Sequence, residues 1–245
     1  HGSVGCPPGT LANNFWPAFG NTLFFTLVTV LLETILGIGM ALVMAKDFHG
    51  RGLLRAAVLV PWAIPTAITA KLWAFLFSEQ GIVNSIFHAH VAWQTDPWAA
   101  RFSIILADVW KTTPFMALLI LAGLQMIPKD LYEAARMDGA NAWQRFTRIT
   151  LPLAKNSIIV AVLFRMLDAL RMYDLPYIMV GPNPDSPTAT LSQLVVAAIR
   201  QDHVNAASAL STLIFLLIFL IALCFVKSLG SKVAHQAEPG EAEEE

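Results

Sequence analysis

The sequence predicts an all-α fold, a polytopic bundle of helices that cross a lipid bilayer. Of the 245 residues, 56% are hydrophobic and only 13% are charged, whereas a soluble domain carries about 25% charged residues. Five apolar stretches are each long enough to cross the hydrocarbon core, which takes about 20 helical residues. Basic residues gather in alternate connections between these stretches, as they do in the cytoplasmic loops of membrane proteins.

The first two predicted spans cover residues 19–45 and 53–77. The second contains Pro61 and Pro65, and a proline inside a helix removes a backbone hydrogen bond, so we expect a kink or a break there. The first span has an edge of small residues on which another helix can pack closely, formed by Gly37, Ala41 and Ala45.

Three further spans are predicted over residues 102–126, 156–180 and 207–229, the first of them with Pro114 inside. Residues 188–201 form a stretch that is too short and too polar to cross the bilayer. We expect this stretch to be an amphipathic or re-entrant helix near one face of the membrane.

The basic residues predict an orientation, because short loops rich in Lys and Arg stay in the cytoplasm. They follow the first, third and fifth spans, as Lys46, Arg51, Arg55, Lys129, Arg136, Arg145, Arg148, Lys155, Lys227 and Lys232. The opposite connections hold only Arg101 and Arg200. The predicted organisation is an extracytoplasmic segment over residues 1–18, a transmembrane region over 19–229 and an acidic cytoplasmic tail over 230–245. An outside start without a signal peptide predicts a further span upstream.

Several other classes of site find no support in the sequence. The net charge of −1 offers no basic surface for nucleic acid. Cys6 lies in the polar start and Cys224 in an apolar run, so we expect them at different depths and without a disulfide. The histidines show no metal-ligand spacing, and no metal site is expected.

Residues 128–152 interrupt the apolar sequence with a charged segment. Pro128 and Asp130 are typical of a helix start, and Gly139 is typical of a helix end. The pattern predicts a short helix, a break and another short helix at the membrane surface. A segment of this charge is also typical of a plain solvated connection.

The residues of this segment follow the order EAA, three residues, G, nine residues and I-x-L-P. This pattern resembles the EAA motif of the permease subunits of ABC importers, and the flanking Asp138, Ala140 and Phe146 resemble the branch that imports sugars. The similarity extends through most of residues 108–191 and, more loosely, through the whole chain. It implies a type I ABC importer permease, whose EAA segment docks into a cleft of a cytoplasmic ATPase subunit.

The resemblance assigns ATPase coupling to Glu133, Ala134, Ala135, Asp138 and Gly139. Small alanines permit close approach, Gly139 permits a bend, and Glu133 offers a charge to a basic partner. Because the chain has no G-x-x-x-x-G-K-[ST] sequence, we expect no cofactor and no enzyme activity here, with ATP bound by partner subunits. The implied partners are a second homologous permease, two ATPase subunits and an extracytoplasmic sugar-binding protein.

Charged residues inside the predicted spans are functional candidates, because charge is costly at bilayer depth unless it is paired or hydrated. Asp108 and Lys111 lie three residues apart in the third span, and Arg165, Asp168 and Arg171 share roughly one face of the fourth. We expect these groups to form an ion-pair network that holds helices together, or a hydrated cavity that hydrogen-bonds a polyol, or both.

By resemblance, the substrate path is assigned to Asp108, Lys111, Thr112, Phe115, Arg165, Asp168, Met172 and Tyr173. Arg165 and Asp168 depart from the more neutral residues often found at such positions in the family. Glu33 in the first span and Lys71 in the second are expected to pair with other charges or to lie at interfaces.

Three functions are weighed from the sequence. The first is the membrane permease of an ATP-driven importer of a di- or oligosaccharide, with trehalose as one candidate and glycerophosphodiesters or other sugars as alternatives. The second is an intramembrane enzyme, although the chain has no H-E-x-x-H or G-x-S-x-G motif. The third is an ion-coupled secondary transporter, which often shows two repeated halves that this sequence lacks.

Overall fold

The computed structural model describes residues 11–88 and 90–234, and all regular structure in these residues is helical. The helices of the first half are α1 (Leu11–Ala45), α2 (Arg51–Ala63), α3 (Thr66–Leu76), α4 (Ile82–Phe87) and α5 (Pro97–Gln125). They are followed by α6 (Lys129–Met137), α7 (Ala142–Arg145), α8 (Leu151–Ala169), α9 (Asp174–Met179), α10 (Leu191–Arg200) and α11 (Val204–Ala234). A π-helical turn, Phe146–Thr150, joins α7 to α8. The predicted all-α fold class is confirmed.

Within the described part of the chain, four helices are long and apolar enough to cross a membrane, namely α1, α5, the continuous helix Ala142–Ala169, and α11. The pair α2 and α3 makes a further crossing if it counts as one span, although the two helices are bent by 87° at the break between them. The five predicted spans correspond to these four helices and the bent pair.

The bend between α2 and α3 lies at Pro65, one of the two prolines that predicted it. Ile64 has an extended backbone, with φ −72° and ψ 132°, because the residue before a proline is disfavoured in the helical region. Pro61 lies inside α2 without ending it. The break leaves the last carbonyl groups of α2 without helical partners.

The bounds of two crossings, the first and the fourth, differ from the predicted ones, and the fourth begins at Ala142 rather than at residue 156. The first helix begins at Leu11 rather than at residue 19. The fourth crossing ends at Ala169 rather than at residue 180, and residues 174–179 form the separate helix α9. A non-helical turn separates α8 from α9, and the Thr190 hydroxyl donates to the Met172 carbonyl in this turn at 2.9 Å, which satisfies a buried backbone acceptor.

Parts of the predicted ends lie outside the described residues. These parts are residues 1–10 of the predicted extracytoplasmic segment, with Cys6, and residues 235–245 of the predicted acidic tail.

The short helix predicted within residues 188–201 is present as α10. It begins with a capping box in which the Thr190 side chain accepts from the Gln193 backbone and the Gln193 side chain accepts from the Thr190 backbone. Two polar groups of α1 hold this start, because Thr22 accepts from the Leu191 backbone at 3.0 Å and Asn21 donates to the Ala189 carbonyl at 3.0 Å.

Helix α5 is the central element and packs against α1, α2, α3, α8 and α9. Its start is capped by Asp96, which accepts from the Trp98 and Ala99 backbones, and Pro97 follows at the first helical position. Most of its length is buried, because the first crossing, the bent pair and α8 pack on it, whereas α11 packs on α10 and α8.

Small residues permit the close approach of α1 to α5, as predicted. A Cβ atom at Gly37 would lie 3.1 Å from Cβ of Met116, which is tighter than ordinary packing, and Ala41 is fully buried. Ala45, the third residue of the predicted edge, is exposed, because α1 ends there and extends past the contact.

A glycine also permits the close packing of α5 on α8, and this gives a first prediction. A Cβ atom at Gly123 would overlap the side chain of Ser157, so Gly123→Ala should lower the free energy of unfolding by about 1–3 kcal/mol. The measurement is the thermal unfolding midpoint of the purified protein in detergent. Gly39→Ala is the matched control, because nothing lies within 4 Å of a Cβ at that position. Adding Ser157→Gly to the Gly123→Ala variant should recover the lost stability. Equal unfolding midpoints for the two alanine variants would contradict the close packing of α5 on α8.

Candidate functional site

One buried arginine binds three carboxylates. The Nε atom of Arg165, on α8, donates to Glu33 at 2.5 Å, and Nη2 donates to the other oxygen of the same carboxylate at 3.0 Å. Nη2 also donates to Asp108 on α5, and Nη1 donates to Asp168, three residues along α8, at 3.1 Å. The cluster therefore joins α1, α5 and α8.

Burial separates the roles of these groups. The side chains of Arg165 and Glu33 are 2% and 0% exposed, whereas that of Asp168 is 65% exposed. Glu33 also accepts from the Thr112 hydroxyl at 2.5 Å. Because a buried charge without partners costs several kcal/mol, the predicted pairing interpretation applies to Arg165, Glu33 and Asp108. Asp168 contacts the arginine and remains accessible.

A cavity of about 360 Å³ lies beside this cluster, between the α2–α3 break, α5 and the turn after α8. It is lined by Trp62, Thr66, Asp108, Lys111, Thr112, Arg165, Asp168, Arg171, Met172, Tyr173, Asp174 and Leu175. Of the eight residues predicted for the substrate path, the cavity brings together all but Phe115. The complete lining comes from three separate parts of the chain, residues 62–66, 108–112 and 165–175, so only the folded structure assembles it.

Lys111 supplies the partners that the broken helix lacks. Its ammonium group donates to the carbonyl of Ile64 at 2.7 Å and to that of Trp62 at 3.3 Å. These carbonyls belong to the C-terminal end of α2, where the partial negative charge of a helix favours a cation. Lys111 thus fixes the break between α2 and α3 while its side chain lines the cavity.

Phe115, which was also predicted for the substrate path, is not among the residues that line this cavity. Its ring stacks on that of Trp62, with centroids 5.6 Å apart and an angle of 14° between the rings. Trp62 lines the cavity and is 47% exposed. Phe115 therefore supports an aromatic surface that the sequence prediction missed.

Met172 and Tyr173 occupy the turn between α8 and α9. Met172 is 9% exposed and belongs to the apolar core around Phe25 and Leu175. Tyr173 stacks on Tyr177, with centroids 4.9 Å apart. Met172 therefore lines the cavity on the side of the apolar core, and Tyr173 contributes an aromatic ring to the lining.

The sequence prediction missed part of the lining, whereas Glu33, which does not line the cavity, pairs with Arg165 as expected. Glu33 is the only charged residue in the first predicted span, and that isolation was the signal for a buried pairing role. Trp62, Thr66 and Leu175 carry no comparable signal. Lys71, which was predicted to pair with another charge or to lie at an interface, is exposed and forms no salt bridge with any described residue.

The charged segment forms the predicted helix, break and second helix. Helix α6 contains Glu133, Ala134 and Ala135, and the first two are exposed. Gly139 follows with φ +78°, a left-handed conformation that favours glycine. The second helix does not stay separate at the surface, because α7 continues through the π-helical turn into α8.

Specific contacts hold α6 against the base of α8 and against the end of α1. The Tyr132 hydroxyl lies 2.9 Å from the Thr150 hydroxyl in the π-helical turn. Lys129 donates to Asp47, in the connection after α1, at 2.8 Å. The hydrogen bond from Lys129, together with the charges of Lys129 and Arg51, holds the pKa of the Asp47 carboxyl below its usual value, so this contact persists at neutral pH.

The arginine cluster gives a second prediction. Arg165→Met leaves two buried carboxylates without their cation and should lower the free energy of unfolding by about 3–5 kcal/mol, read as a lower melting temperature and yield of the purified protein. The control is Arg171→Met, which removes the same charge from an exposed side chain that forms no salt bridge with a described residue. A melting temperature equal to that of the control would refute the structural role.

Known proteins are similar to this chain in sequence or in fold. The trehalose/maltose transport system permease protein MalF of Thermococcus litoralis is 44% identical over 221 residues, which is 88% of this chain and 75% of that protein. The trehalose transport system permease protein SugA of Mycobacterium tuberculosis is 39% identical over 219 residues, which is 89% of this chain and 71% of that protein.

A solved structure has the same architecture. It is a chain of a bacterial ABC transporter involved in the import of the acidic polysaccharide alginate, with a TM-score of 0.79 and 26% identity, and the match covers 88% of this chain and 78% of that chain. A family model described as "Binding-protein-dependent transport system inner membrane component" matches residues 33–235. With this match over most of the sequence, the chain belongs to the family of binding-protein-dependent transport system inner membrane components, as a multi-pass membrane protein.

Proposed function

We propose that this chain is one permease subunit of an ATP-driven importer and forms half of the path for a sugar. The observation that carries the proposal is a polar cavity among apolar helices, linked by one continuous helix to an exposed EAA segment. The helix Ala142–Ala169 carries Arg165 and Asp168 at the cavity. It begins directly after Asn141 of the EAA segment, three residues after Gly139. Force applied at one end therefore reaches the other through a rigid element.

The chemistry of the cavity suits a neutral polyol. Its lining holds three carboxylates and three cations, which balance formally, from Asp108, Asp168, Asp174, Lys111, Arg165 and Arg171. The accessible carboxylate of Asp168 can accept hydrogen bonds from sugar hydroxyls, and Thr66 can donate and accept. Trp62 and Tyr173 offer faces on which a sugar ring can pack.

The relatives make a di- or oligosaccharide the preferred ligand, with trehalose as the first candidate, because two of them are named for trehalose transport. The substrate path proposed from the sequence is kept, with two changes of role. Lys111 acts mainly by fixing the α2–α3 break, and Phe115 acts through Trp62.

The energy would come from ATP bound by two partner ATPase subunits, each docked on the EAA segment of one of two homologous permeases. Glu133, Ala134, Ala135, Asp138 and Gly139 would make this contact, since all but Ala135 are exposed and α6 has room for a partner. Closure of the ATPase dimer would move α6, and the Tyr132–Thr150 contact would carry that movement into α8.

The remaining partners follow from the proposed orientation in the cell membrane. The basic connections and the C-terminus would be cytoplasmic, and the start of the chain would be outside. An extracytoplasmic sugar-binding protein would dock near the connection before α10, on the outer side. The second permease would cover apolar surface such as that of α11, whose crossing segment is only 6% buried in this chain.

The test is transport by the complete complex in proteoliposomes. Together with its ATPase, second permease and binding protein, the chain should accumulate labelled trehalose only when ATP is present. Uptake that follows an ion gradient without ATP would favour the secondary transporter, and chemical conversion of the sugar without transport would favour the intramembrane enzyme.

A third prediction concerns the accessible carboxylate of the cavity. Asp168→Asn should lower trehalose uptake at least tenfold, because a neutral amide accepts weaker hydrogen bonds than a carboxylate, and should change the melting temperature little. Asp202→Asn is the control, since Asp202 is exposed, lies outside the cavity and has φ +60°, which asparagine tolerates. Normal uptake with a lowered melting temperature would remove Asp168 from the substrate path.

A fourth prediction concerns the backbone at the end of α6. Gly139→Val forces a β-branched residue into the left-handed region, so uptake and sugar-stimulated ATPase activity should fall together while the protein still inserts. Gly139→Asn should retain most of both activities, because asparagine adopts that conformation more readily. Equal activity in the two variants would show that the bend does not matter for coupling.

A further inference from the structure

A second and larger cavity lies where the ends of the crossing helices meet the charged segment. Its volume is about 880 Å³, and it is bounded by the end of α1, the start of α2, the end of α5 and α6. Its charged lining residues are Lys46, Asp47, Arg51, Arg55, Lys129, Glu133 and Arg136. Five cations face two carboxylates, so the lining has a formal charge of +3. We call this cavity the basic cleft.

The uncharged part of the lining holds apolar side chains beside Gln125, Tyr132 and Thr150. Leu42 comes from the last turns of α1, Leu124 from the last turn of α5, and Ile127 from the connection that follows. The basic cleft thus combines hydrocarbon side chains of the crossing helices with cations of the adjoining surface. A soluble anion would contact only the second part, whereas a lipid has groups for both.

Among residues 11–88 and 90–234, internal pairing leaves several of the cations without an anion. Asp47 is already bound by Arg51 and Lys129. Arg55 donates from Nη2 to the Met44 carbonyl at 2.7 Å, which anchors its guanidinium at the end of α1. Its Nε atom is buried and has no hydrogen-bond partner among the described residues, and such a donor is costly to leave unsatisfied.

Lys46 and Arg136 add to the free positive charge. Neither forms a salt bridge with a described acid. Glu133, the remaining carboxylate of the cleft, can offset only one of these charges. An anion with several acceptor oxygens, such as a phosphate group, would match the arrangement.

We infer that the basic cleft binds the phosphate group of an anionic phospholipid from the cytoplasmic leaflet, with an acyl chain against the ends of α1 and α5. The inference rests on the proposed function for its orientation, which places this end of the helices in the cytoplasm. Basic pockets between crossing helices on that side attract anionic head groups, at about 1 kcal/mol for each cation. Bound there, the lipid contacts α2 and the coupling helix α6 together.

The experiment titrates the purified, delipidated transporter complex in neutral detergent with dioleoylphosphatidylglycerol, using dioleoylphosphatidylcholine for comparison. Wild type should bind the anionic lipid at least tenfold more tightly. The double variant Lys46→Gln, Arg55→Gln should lose about fivefold in affinity for each cation removed. Arg148→Gln is the matched control, because it removes an exposed cation of the same segment that does not line the cleft.

Four results would overturn the inference. They are equal affinity for the two lipids, an equal loss in the Arg148→Gln control, full competition by inorganic phosphate or glycerol phosphate, and a double variant that binds lipid normally but loses its ATPase subunit. The third result would identify a soluble anion, and the fourth an acidic protein surface.

ATP-dependent sugar uptake by the wild-type complex is measured in parallel. If the complex takes up sugar but binds the two lipids equally, only the lipid site is rejected. If it prefers the anionic lipid but takes up no sugar, only the importer function is rejected.

Discussion

The structure depends on the burial of one positive charge among apolar helices. Arg165 has 2% side-chain exposure and is bound by Glu33, Asp108 and Asp168. A guanidinium in such a place is stable only with carboxylates in hydrogen-bonding geometry. Since these come from α1, α5 and α8, satisfying the charge fixes the relative positions of three crossings. A polar cavity can form beside the cluster because its walls are already held apart.

The same arrangement leaves one carboxylate available for a ligand. Glu33 and Asp108 are held in the core, whereas Asp168 meets the arginine from the exposed side. The pairing network and the wet cavity, which the sequence predicted singly or together, are thus two sides of one cluster. Arg165 orients Asp168 and is itself held by Glu33 on α1 and Asp108 on α5. The position of Asp168, which lies on α8, therefore depends also on α1 and α5.

The cavity wall formed by the break between α2 and α3 depends on hydrogen bonds to free backbone carbonyls. Pro65 breaks the second crossing, and non-helical backbone within membrane-crossing helices is tolerated only where protein or a cavity satisfies it. Lys111 provides that satisfaction by binding two free carbonyls of α2. Lys111, which the sequence predicted as part of the substrate path, thus stabilises the break in the second crossing. Its hydrogen bond to the Trp62 carbonyl also holds Trp62 at the cavity.

The sequence by itself determined the helical class, the approximate crossings, the break near Pro65 and the EAA segment, because each is encoded by residues adjacent in the chain. It also identified most of the charged cavity residues, since charge inside an apolar span is conspicuous. Only the tertiary structure decided which charges pair, that Phe115 stacks on Trp62 and that the fourth crossing stops at Ala169. It also decided that cations from α2, α6 and the connection after α1 line one basic cleft. These outcomes depend on contacts between residues far apart in sequence, and local periodicity carries no information about such distances.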